Sequence, residues 1–299
     1  MRQGLFSGLL CLLFVSSPSW ATFLPPDEPI SFSAFNGGAS NITEDEFKVM
    51  IQAFQTAYEG IVSANGGSLS INGDWQSETV NASASQFFGT WQVNVYGGLA
   101  RRPELTPDGL ALVVCHEMGH HLAGFAFHPG GWGPVWAANE GQSDYYATMV
   151  CAPKMWGGDL EKNATFRETV SPLAKQLCDE QRTEEAEQNL CYRILAGSES
   201  LAQTLAVLKD KPLPAFDTPD ANVVSSTFNG HPAPQCRIDT YLAGTMCTAE
   251  FNDNLVPGKK VTAGPGSVDA EREAANHSCT TAGGFTLGLR PACWFKARM

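Results

Sequence analysis

Charge is what this sequence has least of. Asp, Glu, Lys and Arg make up only 17% of the 299 residues, and basic side chains are outnumbered 19 to 31. A formal charge of -12 repels nucleic acid and anionic lipid, so no nucleic-acid partner is expected. Past the first two dozen residues there is no apolar run long enough to cross a bilayer, so no stable membrane insertion is expected either. Internal repeats are missing. So is any Cys-x-x-Cys pair, which argues against structural zinc as the use of the nine cysteines. Low charge does not mean disorder here, because 43% of the residues are apolar and can build a core. The length suits one large domain, or one domain with a small appendage.

What is present begins with an export signal. Arg2 supplies charge, Leu5 to Val15 is a short apolar run, and Ser19-Trp20-Ala21 has the small-x-small form of a cleavage site. We expect a signal peptide over residues 1–21 and a periplasmic or secreted product. Pro18 and the shortness of the run argue against a membrane anchor. Leu10 before Cys11 argues against a lipoprotein. Removing the signal takes away Arg2 and moves the charge from -12 to -13. Acidity of this kind keeps an exported protein in solution. Eight cysteines then remain, an even number that suggests disulfides without choosing a pairing. If Arg237 to Met246 is helical, Cys236 and Cys247 lie roughly 16 Å apart along it, too far to bond.

Residues 22–40 read as a Pro/Gly-rich extended arm. Thr43 and Glu46 form a capping box before apolar residues at helical spacing from Phe47 to Val62. Ser68–Ile71 and Trp91–Tyr96 alternate as strands, with Asn72-Gly73 as a turn, and predict a small antiparallel sheet. Thr106-Pro107-Asp108 starts a helix that Gly124 stops. A second helix is predicted from about Trp136 to Val150. Residues 158–210 read as mostly helical, 211–229 as a Pro-punctuated linker, and Arg237–Leu242 as a short helix.

The chemistry lies in Cys115-His116-Glu117-Met118-Gly119-His120-His121. Four helical residues turn through about 400°, so His116 and His120 share one face, one turn apart, and both rings can reach one tetrahedral ion. Glu117 stands beside them, suited to take a proton from a metal-activated water and pass it to a leaving amine. A chance His-Glu-x-x-His in a chain of this length has odds on the order of one in a hundred.

The third ligand must come from elsewhere. Position 126 is Ala126, and His128 has the wrong spacing. Glu140 is the better candidate. It stands with Asp144 in Asn139-Glu140-Gly141-Gln142-Ser143-Asp144, and between Leu122 and Val150 there are no other acidic residues. Glu140 can complete the ligand set, and Asp144 can accept a hydrogen bond from a ligand histidine and fix its tautomer. His121 points about 100° away from His120 and suits packing or support.

This order of motifs resembles the glutamate-ligand zinc peptidases, the gluzincins. The closest pattern is the group of HtpX, the CAAX-prenyl proteases, Oma-type proteases and BepA-like periplasmic proteases. Asn81-Ala82-Ser83-Ala84 with Gly97-Gly98-Leu99, the zinc helix, Glu140-x-x-x-Asp144 with Ala147, and His231-Pro232-x-x-x-x-Arg237-Ile238 match in order, over about residues 40–245. The nineteen residues between His120 and Glu140 are fewer than in many of that group. Thermolysin-like enzymes have a similarly short gap and a similar Asn-Glu-x-x-Ser-Asp motif. The resemblance implies one zinc ion per chain, a polypeptide substrate, and His231 and Arg237 at the oxyanion. It also implies an edge strand, at 81–85 or 92–96, that pairs with the substrate backbone and makes Asn81 and Ala82 substrate-binding residues.

The expectation is an α+β, zincin-like, disulfide-stabilised fold: a small antiparallel-rich sheet, a zinc-binding helix pair and a helical second half. Residues 22–247 form a zinc metalloendopeptidase domain, and 248–299 a Cys/Gly/Pro-rich tail. A zinc amidase acting on cell-wall peptides and a non-catalytic, zinc-stabilised chaperone or binding module are the rivals. The sequence assigns no oligomeric state.

Overall fold

The computed structural model describes residues 20–25, 39–129 and 135–298. The expected signal therefore lies outside the described residues up to Ser19, as do residues 26–38 of the arm and residues 130–134. The first described element is a short strand, β1 (Trp20–Thr22). Thr43 then caps α1 (Glu44–Ala64): its hydroxyl accepts from Glu46 N at 3.3 Å, and the Glu46 carboxylate accepts from Thr43 N at 2.8 Å. Three acidic residues in the first turn suit the positive end of the helix. Phe47, Phe54, Tyr58 and Val62 form its buried face, which rests on β2 (Ser68–Asp74).

β3 (Ala82–Phe87) and β4 (Thr90–Tyr96) form an antiparallel pair, and β1 lies antiparallel on the outer side of β3. β2, however, runs parallel to β4, giving the order β1-β3-β4-β2. The sheet is mixed where an antiparallel one was expected. Asn72-Gly73 does not turn; it lies within β2, where a Cβ on Gly73 would come within 2.6 Å of the Phe47 ring. That glycine serves the close approach of α1. The parallel pairing requires residues 75–81 to cross the end of the sheet. They pass over the one-turn helix α2 (Gly97–Ala100), where a Cβ on Gly98 would stand 2.3 Å from the Glu78 carbonyl oxygen.

α3 (Pro107–Leu122) starts as expected, with Thr106 Oγ1 accepting from Gly109 N at 3.1 Å and Pro107 in the first turn. Every residue from Asp108 to Leu122 is buried, because the sheet, α4 (Glu140–Tyr146) and α8 (Glu185–Leu208) cover it from different sides. α4 begins at Glu140, later than the expected Trp136, with Asn139 Oδ1 accepting from Gln142 N at 2.9 Å. Ala138 is extended instead: it bridges to Phe127, and its N–H donates to the His120 carbonyl at 2.9 Å. A π-helical turn, Ala147–Cys151, leads into α5 (Ala152–Trp156).

The second half is helical as expected, with α6 (Leu160–Thr165), α7 (Pro172–Gln181), α8, α9 (Pro234–Met246) and α10 (Val268–Ala274). α9 is longer than the short helix anticipated. Arg193 of α8 fastens the start of α3: its guanidinium donates to Asp108 at 2.8 Å and Asn163 at 3.0 Å, and lies over the Trp156 ring.

Four disulfides join Cys115–Cys151, Cys178–Cys191, Cys236–Cys293 and Cys247–Cys279. Cys236 and Cys247, at opposite ends of α9, do not pair with each other. Each instead takes a partner from the tail, whose Trp294 is fully buried. Such bonds belong to an oxidising compartment. Among the described residues, no helix is long and apolar enough to cross a membrane.

Candidate metal centre

His116 and His120 project from consecutive turns of α3, with ring centroids 4.7 Å apart and planes at 86°. Glu140 arrives from the first residue of α4. Its carboxylate oxygens lie 3.3 Å from His116 Nε2 and 3.7 Å from His120 Nε2. The three ligand atoms fall within 4.8 Å of one another. Gly119 permits this approach, because a Cβ there would stand 2.9 Å from Ser143 Cα.

His116 Nε2, His120 Nε2 and Glu140 Oε2 are buried without a hydrogen-bond partner, as are both oxygens of Glu117. A buried polar atom left unpaired is costly. Three that converge on one point, two imidazole nitrogens and a carboxylate oxygen, are a donor set suited to a divalent cation. Glu117 Oε2 is 3.9 Å from His120 Nε2, beside the cluster and outside it.

The far side of each ring is held. His116 Nδ1 donates to Asp144 Oδ1 at 2.7 Å, and His120 Nδ1 donates to the Ala138 carbonyl at 2.8 Å with Ser143 Oγ at 3.1 Å. Both bonds favour a proton on Nδ1, so that each ring, once neutral, offers its Nε2 lone pair to an ion. Burial opposes protonation of His116, but Asp144 outweighs it and raises the imidazole to about 9. Burial lowers His120 to about 4 and pushes Glu117 up to about 8. Burial also works against ionisation of Glu140 and Asp144. For Glu140 the neighbouring imidazoles, His120 foremost, prevail, and for Asp144 Arg237 and His116 do, so both carboxyls are held below their ordinary range.

No family model, curated protein or solved structure matches this chain. The site therefore stands on its own geometry.

Arg237 is fully buried on the Nδ1 side of His116. Its Nε and Nη2 donate to the two Asp144 oxygens at 2.7 and 2.6 Å. Its Nη1 donates to the Phe23 carbonyl at 3.2 Å. His231 is set differently. Its Nε2 lies 3.5 Å from Glu140 Oε2 and donates to the Thr22 carbonyl at 2.6 Å. Asn81 Oδ1 accepts from Leu24 N and Ala82 N, both at 2.9 Å. Neither strand expected at an edge for backbone pairing is one: β4 lies between β3 and β2, and β3 lies between β4 and β1, because the chain's own residues 20–22 pair along it. His121 is packed between Trp91 and Trp136, with centroids 5.3 and 5.0 Å away. His128 is exposed and outside the cluster.

Three contributors escaped sequence reasoning. Tyr241 donates to Asp144 at 3.0 Å, and its place four residues after Arg237 on α9 was a usable signal. Ser143 sits beside His120 in the Asn-Glu segment. Phe23, edge-on to His116 at 5.3 Å, carried no signal at all.

Proposed function

We propose that this chain is a zinc-dependent metalloendopeptidase with a zincin-like site. One observation carries the proposal: three buried, unpartnered ligand atoms converge beside a buried, unpartnered Glu117. His116, His120 and Glu140 would hold the ion. When bound, zinc supplies positive charge for a developing oxyanion and acidifies a water nucleophile.

The chain's own residues supply the rest. Glu117 takes the proton from the attacking water and delivers it to the amine nitrogen of the departing peptide. Its freedom from hydrogen bonds leaves both oxygens available for that transfer. His231 Nε2 donates to the carbonyl oxygen as charge gathers on it. Asp144 holds His116, and Arg237 with Tyr241 holds Asp144; in this reading Arg237 is a positioning residue. An extended peptide would pair along β3 in the place that β1 takes, with Asn81 and Ala82 at the start of that edge. The four disulfides fit an exported protein.

The test pairs zinc content with hydrolysis of casein and of cell-wall peptide fragments. Wild type should hold one zinc per chain and cut casein. Glu117→Gln should keep zinc and lose hydrolysis by at least about a hundredfold. Glu140→Ala should lose both. A wild type without stoichiometric zinc sinks the proposal, and cleavage of wall fragments alone would replace it with the amidase reading.

A further inference from the structure

Resting on the peptidase reading, we propose that the chain cuts itself between Thr22 and Phe23, with its own N-terminal segment, which lies along β3 beside the metal site, as the first substrate. The segment binds as an added strand. Trp20, Ala21 and Thr22 pair antiparallel with Ser85, Ala84 and Ser83 of β3. The ladder continues, because Phe23 N donates to the Ala82 carbonyl at 3.1 Å. Leu24 N donates to Asn81 Oδ1 at 2.9 Å, and Asn81 Nδ2 returns a bond to the Leu24 carbonyl at 3.3 Å.

Two successive carbonyls of this strand are taken by the two side chains that flank the metal ligands. The Thr22 oxygen accepts from His231 Nε2 at 2.6 Å, and that nitrogen is 3.5 Å from Glu140 Oε2. The Phe23 oxygen accepts from Arg237 Nη1 at 3.2 Å. Between these anchors the Phe23 side chain is fully buried, edge-on to His116 at 5.3 Å and under the Arg237 guanidinium at 4.4 Å. The bond whose carbonyl His231 polarises is thus followed at once by a large apolar side chain in a pocket walled by a metal ligand. That places Thr22–Phe23 at the point of attack and points to substrates with an aromatic or large apolar residue just after the cut.

The step is a hydrolysis. Water oxygen bonds to the Thr22 carbonyl carbon, the carbon–nitrogen bond breaks, and Glu117 carries the water proton to Phe23 N. The products are a peptide ending in a Thr22 carboxylate and a chain beginning at Phe23. No electrons are exchanged and no further reactant is consumed. The bond lies one residue beyond the expected signal boundary at Ala21, so the two cuts leave different first residues.

The full chain, made in a cell-free system without export machinery and loaded with zinc, provides the test. Intact mass should show wild type converting to a species starting at Phe23, at a rate independent of protein concentration. Glu117→Gln should stay uncut, and Phe23→Ala should be cut at least about tenfold more slowly. In metal-free Glu117→Gln, hydrogen exchange should show protected amides at Phe23 and Leu24, with the protection of Leu24 lost on Asn81→Ala. A wild type that cleaves casein but keeps residues 1–22, a cut whose rate scales with concentration, or unprotected amides would each overturn self-cleavage while leaving the peptidase reading intact. A zinc-loaded wild type that cuts neither itself nor casein overturns both.

Discussion

Asp144→Asn and Arg237→Met test how the centre is held. Asp144 is fully buried and accepts four bonds: from His116, twice from Arg237, and from Tyr241. Asp144→Asn removes the charge that balances Arg237 and leaves the guanidinium buried among neutral or partly charged neighbours, the Phe23 carbonyl and ring and His116 Nδ1. Breaking one side of a buried pair costs about 3–5 kcal/mol. Arg237→Met should cost less, near about 3 kcal/mol, because Asp144 keeps His116 and Tyr241 as donors. The double variant strands neither charge, so it should fall short of the sum by about 1–3 kcal/mol. The assay is denaturant unfolding of metal-free protein, supported by thermal melts. In a chain of this length about 2 °C is lost per kcal/mol, so Asp144→Asn should melt roughly 6–10 °C lower. Zinc affinity should fall about 10–100-fold in Asp144→Asn, because the amide no longer holds the His116 ring as a carboxylate does. Additive losses in the double variant, or unchanged zinc affinity in Asp144→Asn, would refute the reasoning.

Further predictions concern the helices, the staples and protons. Gly119→Ala pushes a Cβ into Ser143 Cα and the Ser143 carbonyl; it should cost about 1–3 kcal/mol and weaken zinc binding measurably by competition with a chelating dye. Removing Cys236–Cys293, which closes 57 residues, should cost about 4 kcal/mol, against about 3 kcal/mol for Cys178–Cys191, which closes 13. Only the first should also lower zinc affinity, because Trp294, beside Cys293, lies against Gly141 next to Glu140. Zinc binding should release protons. His116, raised to about 9, is protonated at neutral pH and must give up that proton to bind the metal, so affinity falls as pH falls. Calorimetry in buffers of different ionisation enthalpy reads the protons released; none released at pH 7 would contradict the raised value.

Local chemistry carried much of this structure. The Thr43 capping box, the Thr106-Pro107 start, the alternation of Trp91, Val93 and Val95, and the exclusion of a Cys236–Cys247 bond all depend on residues near one another in the chain. So do the metal candidates His116 and His120, since one helical turn brings them together. The parallel pairing of β2 was hidden, because strand direction depends on a crossing whose close passage over Gly98 is a through-space fact. The Asn72-Gly73 pair looked like a turn for the same reason: its glycine answers to Phe47, more than twenty residues away. α4 began late because Ala138 is spent on His120, eighteen positions earlier.

By itself, then, the sequence determined the helix that carries His116, Glu117 and His120, singled out the acidic pair Glu140 and Asp144, and offered an even set of eight cysteines for disulfides. Those follow from periodicity and residue type. Tertiary structure decided that Glu140 reaches both imidazoles, that Arg237 stands behind His116, and that β1 lies along β3 with Phe23 against His116. Glu140 was legible as a candidate from its isolation in an apolar stretch; its distances and the other two contacts were not, because each joins segments whose separation the chain does not fix. Only packing, in which burying an unpaired charge or carbonyl is too costly to tolerate, selects the partners.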